Sequence, residues 1–436
     1  MLIINRKFPR VSLFDEHLHQ QLDAIRDAGL YRELRRVDSP QSPHIRIGGK
    51  TLLNFSSNDY LGLANDPILK EAAGKAVKKF GTGAGASRLV CGSLAPFHEL
   101  EEALAGFKKT EAALSFSTGY ATAIGTICAL LGEDDVVVLD KLIHACLVDA
   151  ARLCGAKIRV FAHSDLDDLE KILRWSSTFR LSGSTLKREL QPARTLIVTE
   201  SFFSMDGDAA PLREMVALKE KYGAWLMVDE AHATGVCGKH GRGLADELGV
   251  GHRIEIQMGT LGKALGASGG FICGSLALIE LLVNRARSFI FSTAPVPAAA
   301  AAAAAAVCFV QSNDGERRRR ELLERVKQCR TGILPVSDHQ IGMGDRRDAC
   351  PALSAIIPIM VGNEKKAVEL AATLREQGIF VPAIRYPTVA RGKARLRVTL
   401  TAAHTTDDVN RLAAALNGLV NRKSQIQNQN APARRT

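Results

Sequence analysis

At 436 residues the chain is too long for one small core and predicts two or three domains. Its 46% hydrophobic and 24% charged content belongs to a soluble globular protein, and no apolar run reaches the roughly 20 residues needed to span a bilayer. The formal net charge of +11 raises nucleic acid as a partner, but the basic clusters "ERRRRELLERVKQCR" (316–330) and 421–436 lack a recognition motif, and glutamates interrupt the first. No nucleic-acid and no membrane partner is therefore expected; the charge would instead attract anionic substrates or an acidic carrier protein.

In chain order, residues 12–37 read as an amphipathic helix, and "HIRIGGKTLLNFSS" (44–57) as a hairpin turning on "GGK". "GTGAGASR" (81–88) formally matches G-x-G-x-x-A. A helical pattern precedes it where a strand is required, so a dinucleotide site is not supported. Short apolar strands then alternate with helices: 112–116, 135–140, 157–163, 194–200, 224–230 and 269–274. Continuous apolar runs between helices predict a mostly parallel sheet buried on both faces. Ligands in such sheets bind beyond the carboxyl ends of the strands.

Several residues stand at those ends. "STGY" precedes a helix, so Gly119 and Tyr120 could offer free N–H groups to a phosphate, or form an ordinary strand–helix turn. His144 follows the next strand and could stack on a flat ligand or serve structure alone. Ser204 lies in "SFFSMDGD", which also reads as a plain turn. Asp229, Glu230 and His232 close "WLMVDEAH"; Asp229 could meet a ligand or cap the following segment, and the spacing of Glu230 and His232 implies no metal pair.

Lys263 sits in "GTLGKALGASGG" (259–270). The nucleotide-loop pattern fails there, since Gln257 replaces its first Gly and Ala264 follows the Lys. A lysine that forms a Schiff base in a close-fitting pocket is the other candidate. Asp229 precedes Lys263 by one helix and one strand in this reading, which allows both at one end of the sheet. A lysine and an acid so arranged are the groups that pyridoxal 5′-phosphate requires.

Beyond Pro297 a run of nine alanines predicts a helix (298–310). A smaller α+β unit follows, with strands at 354–362, 378–386 and 394–401 and helices at 364–377 and 406–420. The stretch 331–350 reads as a surface insertion. The domain reading is an N-terminal arm (1–58), a large domain (59–297), a small domain (298–420) and a disordered tail (421–436). Nine scattered cysteines, odd in number and without C-x-x-C, predict reduced thiols and no metal site. "MLIINRKFPR" lacks the apolar core of a signal peptide, so a cytoplasmic location is expected.

Together, "NFSSNDYLGL" (54–63), "GTGAGASRLVCGS" (81–93), "ESFFSMDGD" (200–208), "DEAHATGVCGKHGRG" (229–243), "GTLGKALG" (259–266) and "ARLRVTLTAAHT" (394–405) resemble the α-oxoamine synthases from about Leu30 to Leu416. The resemblance implies a pyridoxal-phosphate-dependent transferase of fold type I, a large domain with a mostly parallel sheet between helices and a smaller α+β C-terminal domain. It implies Lys263 as the Schiff-base lysine, with its glycines leaving the cofactor room. Asp229 would meet the ring nitrogen, Ser204 and His232 the ring oxygen, His144 the ring face and substrate, and Gly119, Tyr120 and Thr260 the phosphate. Arg32, Thr388 and Arg397 match substrate-contacting positions. Ser292 and Thr293 would reach a partner's phosphate in a homodimer with shared active sites. "GLYRELRRV", "SSNDYLGL", "AHATGVCGKHGRG" and "LRVTLTAAHT" favour the branch that joins L-alanine to a pimeloyl thioester on coenzyme A or a carrier protein. The glycine-using, 5-aminolevulinate-forming and serine-using branches share the core; a non-catalytic homologue is the remaining alternative. Tyr386, where the family often has Pro, and the 331–350 stretch depart from the pattern.

Overall fold

The computed structural model describes residues 12–182, 193–333 and 354–429. The 331–350 stretch lies outside them from residue 334 onward. Among the described residues, no helix is long and apolar enough to cross a membrane.

The first helix spans Leu13–Asp27, capped by Ser12 and Asp15 acting reciprocally. It is shorter than the predicted 12–37, because Ala28 caps it and Gly29 turns the chain at φ 66°. None of its residues is buried, and Leu13, Phe14, Leu18 and Ile25 are exposed. The hairpin forms as predicted: β1 (His44–Ile47) and β2 (Lys50–Asn54) join through Gly48 and Gly49, both at positive φ.

The large sheet is built from β3 (Ala112–Phe116), β4 (Val136–Asp140), β5 (Lys157–Phe161), β6 (Thr195–Glu200), β7 (Trp225–Asp229), β8 (Ile256–Thr260) and β9 (Gly270–Gly274). Their order is β3-β9-β8-β7-β6-β4-β5, with β9 antiparallel to both neighbours and the pairings from β8 to β5 parallel. Both faces are covered, and Val136–Asp140 and Thr195–Glu200 are buried at every position, which accounts for their unbroken apolar runs. β8 escapes the apolar strand pattern because Gln257 and Gly259 interrupt it. In the fold Gln257 is buried, with Nε2 donating to the Gly251 carbonyl at 3.0 Å. A side chain at Gly259 would strike the Phe271 ring at 2.3 Å.

The alanine run forms the Pro297–Val310 helix, with Pro at its first position. Small side chains let it pack closely on the Pro67–Phe80 and Ala95–Lys108 helices. The four-arginine run that follows is mostly absorbed internally. Arg317 pairs with Asp314 and Glu321, Arg318 with Asp66, and buried Arg319 with Glu316 and the Val310 carbonyl.

The C-terminal unit contains β10 (Ile356–Gly362), β11 (Ile379–Phe380), β12 (Ala383–Ile384) and β13 (Ala394–Thr399). One small sheet has the order β10-β13-β12; the other, β1-β2-β11, recruits the N-terminal hairpin. The expected single strand at 378–386 is thus two short ones, each pairing with a different sheet. Pro382, which has no N–H for a ladder, lies between them. The last helix runs Thr406–Gln429. It passes the predicted end at 420 and takes in the first part of the expected disordered tail, since 421–429 contains no Gly or Pro to stop it; 430–436 lie outside the described residues.

Candidate active site

The carboxyl ends of β3, β4, β6, β7 and β8 point the chain towards one region, as a parallel sheet requires. Phe116 leads to Gly119, Asp140 to His144, Glu200 to Ser204, Asp229 to His232, and Thr260 to Lys263. Lys263 Nζ lies 2.8 Å from His232 Nε2, and His232 Nδ1 lies 2.5 Å from the Tyr60 hydroxyl. Burial lowers the Lys263 amine and holds His232 well below the usual imidazole range. Tyr60 is also buried, which pushes its hydroxyl up to about 12.

Asp229 is buried beside them. Its Oδ1 accepts the Ala231 N–H at 2.9 Å, and among the described residues no cation lies within ion-pair distance. Burial raises its carboxyl, opposed by the nearby Lys263. A buried carboxylate without a paired cation is costly, so this acid is suited to a ligand that brings a positive charge. Glu200, its register partner on β6, is also buried; burial and the Asp229 charge push it up to about 8. Glu200 Oε1 accepts the His144 backbone N–H at 2.6 Å. The exposed His144 ring caps the Ala145–Leu153 helix, with Nδ1 accepting the Cys146 N–H at 3.3 Å. It therefore fulfils the structural role considered from sequence while keeping a face open.

The Gly119–Leu130 helix begins beside Thr260: a Cβ on Gly119 would lie 3.9 Å from Thr260 Oγ1. The Gly119 and Tyr120 N–H groups are first-turn donors without intrahelical acceptors. The Tyr120 hydroxyl turns away to donate to Asp149 at 2.7 Å. The glycines around Lys263 serve packing more than ligand space. A Cβ on Gly266 would meet Ala64 N at 2.5 Å, and one on Gly270 would meet the Gly119 Cα at 2.8 Å.

Arg397 is buried on β13, donating to the Ser204 carbonyl at 2.6 Å, Asn58 Oδ1 at 3.0 Å and Thr399 Oγ1 at 2.9 Å. No carboxylate pairs with it among the described residues. Arg32 and Thr388 are exposed and do not bond to the Lys263 group. They flank Arg385, which donates to the Tyr31 carbonyl at 2.7 Å and is lowered by burial and by the Arg32 charge. Ser292 and Thr293 line a separate small cavity with Arg88, Ser117 and Ser288. Glu230 turns away from His232 to pair with Lys108 at 2.7 Å, both side chains being 1% exposed. Among the described residues no cluster could hold a metal ion.

Tyr60, Glu200, Asn58 and His163 were not singled out from sequence. Tyr60 and Asn58 lay within a quoted motif and Glu200 ended a predicted strand, but nothing in local spacing links them to His232, Arg397 or His144.

The donor set fits pyridoxal 5′-phosphate: a lowered lysine amine, a buried acid with no paired cation among the described residues, a helix N-terminus beside a threonine hydroxyl, and an open imidazole face. The aminotransferase class I and II family matches residues 50–416. An 8-amino-7-oxononanoate synthase of Herminiimonas arsenicoxydans is 44% identical over 404 residues, covering 92% of this chain and 98% of the relative. One from Geotalea daltonii is 44% identical over 397 residues, covering 91% and 96%. Among solved structures, Sphingomonas wittichii serine palmitoyltransferase matches with a TM-score of 0.82 at 30% identity, over 95% of this chain and all of that one (100%). A Francisella tularensis 8-amino-7-oxononanoate synthase matches with a TM-score of 0.67 at 27% identity, over 86% and 99%.

Proposed function

The chain belongs to the class I and II aminotransferase family and, within it, to the pyridoxal-phosphate-dependent 8-amino-7-oxononanoate synthases; from that premise we propose that it condenses L-alanine with a pimeloyl thioester. The Cα–H bond of alanine and the C–S bond of the thioester break, a C–C bond forms at Cα, the carboxylate leaves as CO2, and a proton returns to Cα. The products are 8-amino-7-oxononanoate, for biotin synthesis, and the free thiol carrier. The observation that carries the chemistry is the Lys263–His232–Tyr60 chain beside an acid with no paired cation among the described residues.

Bound at this site, pyridoxal 5′-phosphate supplies an electron sink for the pair left at the amino acid Cα. Lys263 Nζ would hold the group, and the Asp229 carboxylate would hold the proton on its ring nitrogen. The Gly119 and Tyr120 N–H groups and Thr260 Oγ1 would hold its phosphate. Ser204 Oγ, which makes no hydrogen bond to described residues, and His232 would face its ring oxygen. His144 would cover the ring and touch substrate. The lowered Lys263 amine can take the Cα proton, and His232 Nε2 keeps that amine oriented. Arg397, which pairs with no carboxylate among the described residues, would orient the alanine carboxylate. Arg32 and Thr388 would bind the acyl substrate from the segments flanking Arg385.

We further propose a homodimer with shared active sites, supported by the uncovered apolar face of Leu13, Phe14 and Leu18 and by Ser292 and Thr293 lying in a separate cavity. None of the eight described cysteines is in a disulfide, which suits a reducing cytoplasmic setting. The domain division at 58 and 297 is part of the same proposal.

The test is kcat/KM over a panel of amino acids and acyl thioesters, on coenzyme A and on carrier protein, with product mass confirmed. Alanine with a pimeloyl thioester is expected to lead, with leakage to glycine or serine because one methyl discriminates by only about 10–200-fold. A preference for glycine with acetyl-CoA would move the chain to the glycine C-acetyltransferases. Borohydride reduction and peptide mapping should tag Lys263; a tag on another lysine would overturn its assignment.

A further inference from the structure

We propose that His163 is a positioning residue whose imidazole, clamped between the carboxylates of Asp140 and Asp208, locks together the two loops that carry His144 and Ser204. This rests on the proposed roles of those two residues.

His163 lies just beyond β5. Its Nδ1 is 2.8 Å from Asp140 Oδ1 and its Nε2 is 2.8 Å from Asp208 Oδ2. The three side chains are 7%, 2% and 8% exposed, in that order. A neutral imidazole has one N–H and cannot donate from both nitrogens. With both partners ionised, both nitrogens carry protons, and the ring is a cation shared by two anions. Burial opposes that charge; the hydrogen bonds to Asp140 and Asp208 outweigh it and raise the ring to about 9.

Each carboxylate belongs to a different loop. Asp140 ends β4 and also accepts the Leu142 N–H at 2.8 Å and the Ser164 N–H at 3.0 Å. The first bond sets the turn that delivers His144 two residues later. The second holds Ser164 at φ 56°, a region that non-glycine residues seldom occupy. Asp208 closes the other loop, its carbonyl accepting the Phe203 N–H at 3.0 Å. The His163 and Phe203 rings meet edge to face, 4.3 Å between centroids. Ser204 is the next residue, and its carbonyl is taken by Arg397. Arg395 takes the Met205 carbonyl at 3.1 Å and Asp206 at 2.7 Å. The Ser204 turn is therefore gripped by His163 from the large sheet and by two arginines from β13. His163 connects that grip to the His144 turn.

The experiment compares wild type with His163→Gln, which keeps bulk but not the second charged donor. Cofactor affinity is measured by titrating the apo-protein with pyridoxal 5′-phosphate, alongside thermal melting of the apo-protein and KM for the amino acid. The expected result is a cooperative melt with cofactor Kd and amino-acid KM each raised about tenfold or more. A lowered melting temperature with wild-type Kd and KM would make His163 purely structural and overturn the proposal. If His163→Gln does not fold, Asp208→Asn carries the test: it should weaken cofactor binding in the same direction, and a wild-type Kd there would also overturn it. Nitrogen-15 histidine NMR on the wild type at pH 7 should find both His163 ring nitrogens protonated; a single ring N–H would refute the clamp. A wild-type enzyme that binds the cofactor but does not join alanine to a pimeloyl thioester would defeat the proposed function and leave this binding test readable.

Discussion

Lys263 Nζ and His232 Nε2 stand 2.8 Å apart, and the state of each depends on Tyr60 behind them. The Tyr60 hydroxyl has two acceptors in reach, His232 Nδ1 at 2.5 Å and Asn58 Oδ1 at 3.4 Å. With its proton in the shorter bond, the ring's own proton sits on Nε2 and points at Lys263. Only a neutral amine can accept it. This agrees with burial lowering the lysine.

Tyr60→Phe removes the donor that sets this tautomer. Cofactor attachment to the apo-protein, trapped by borohydride across a pH series, should then reach its half-maximum at higher pH than in wild type. Turnover at neutral pH should fall by about 10²-fold. An unmoved pH midpoint would mean that Tyr60 does not control the lysine.

Asp229→Asn keeps the shape and removes the charge. The variant should still bind the cofactor but lose about 10²-fold in kcat if the charge contributes roughly 3 kcal/mol to the transition state. Equal kcat in the two proteins would assign the ring nitrogen to another acid.

The Glu230–Lys108 pair lies in the interior, away from the lysine amine. Lys108→Met would leave Glu230 buried without its cation, and Glu230 also holds the Ala245 N–H. Urea unfolding should show a loss of about 3–5 kcal/mol. The folded fraction should retain normal cofactor absorption, and a change in that absorption would give Glu230 a role at the site itself.

Stability should also depend on alkaline pH through His163. The ring keeps its proton up to about 9 when folded and releases it near 6.5 when unfolded. The folded state therefore binds more protons between those values, and stability falls as pH rises through that window. The contribution is full below 6.5 and lost above about 9. Glu200, raised to about 8, adds to the same slope from about 4.5 upward. The diagnostic is thus the difference between wild type and Asp208→Asn: urea midpoints from pH 6 to pH 9.5 should fall less steeply in the variant. Parallel curves would show that the clamp is not the source.

The large sheet was legible because its strands are buried on both faces and their apolar runs show it. β8 was hidden because its two exceptions, Gln257 and Gly259, are answered by a carbonyl and a ring that lie elsewhere in the chain. The end of the first helix at Gly29 was missed because apolar residues beyond it, such as Leu34, continue the pattern while remaining exposed. In the site, Asp229, His232, His144 and Ser204 could be picked out because each ends or follows a legible strand, and Lys263 because of its glycine-rich setting. Tyr60 and Glu200 could not, since their roles arise from contacts with His232 and the His144 backbone that sequence distance conceals. The glycines near Lys263 suggest space for a ligand, yet Gly266 and Gly270 are needed for backbone contacts with residues 63–64 and Gly119.

The pairing of Leu53 with Ile379 and of Asn54 with Phe380 joins the two extremes of the fold in one sheet. During synthesis the hairpin leaves the ribosome long before β11 exists, and at on the order of 10 residues per second the delay is tens of seconds. Throughout that time β2 presents an open hydrogen-bonding edge, which another nascent chain could occupy. The large sheet, whose strands all precede β10, can form in the interval; the hairpin edge closes only when the C-terminal unit arrives. Premature termination before residue 379 would therefore leave a product with a nearly complete large sheet and a persistent sticky edge, a natural substrate for chaperones and proteases.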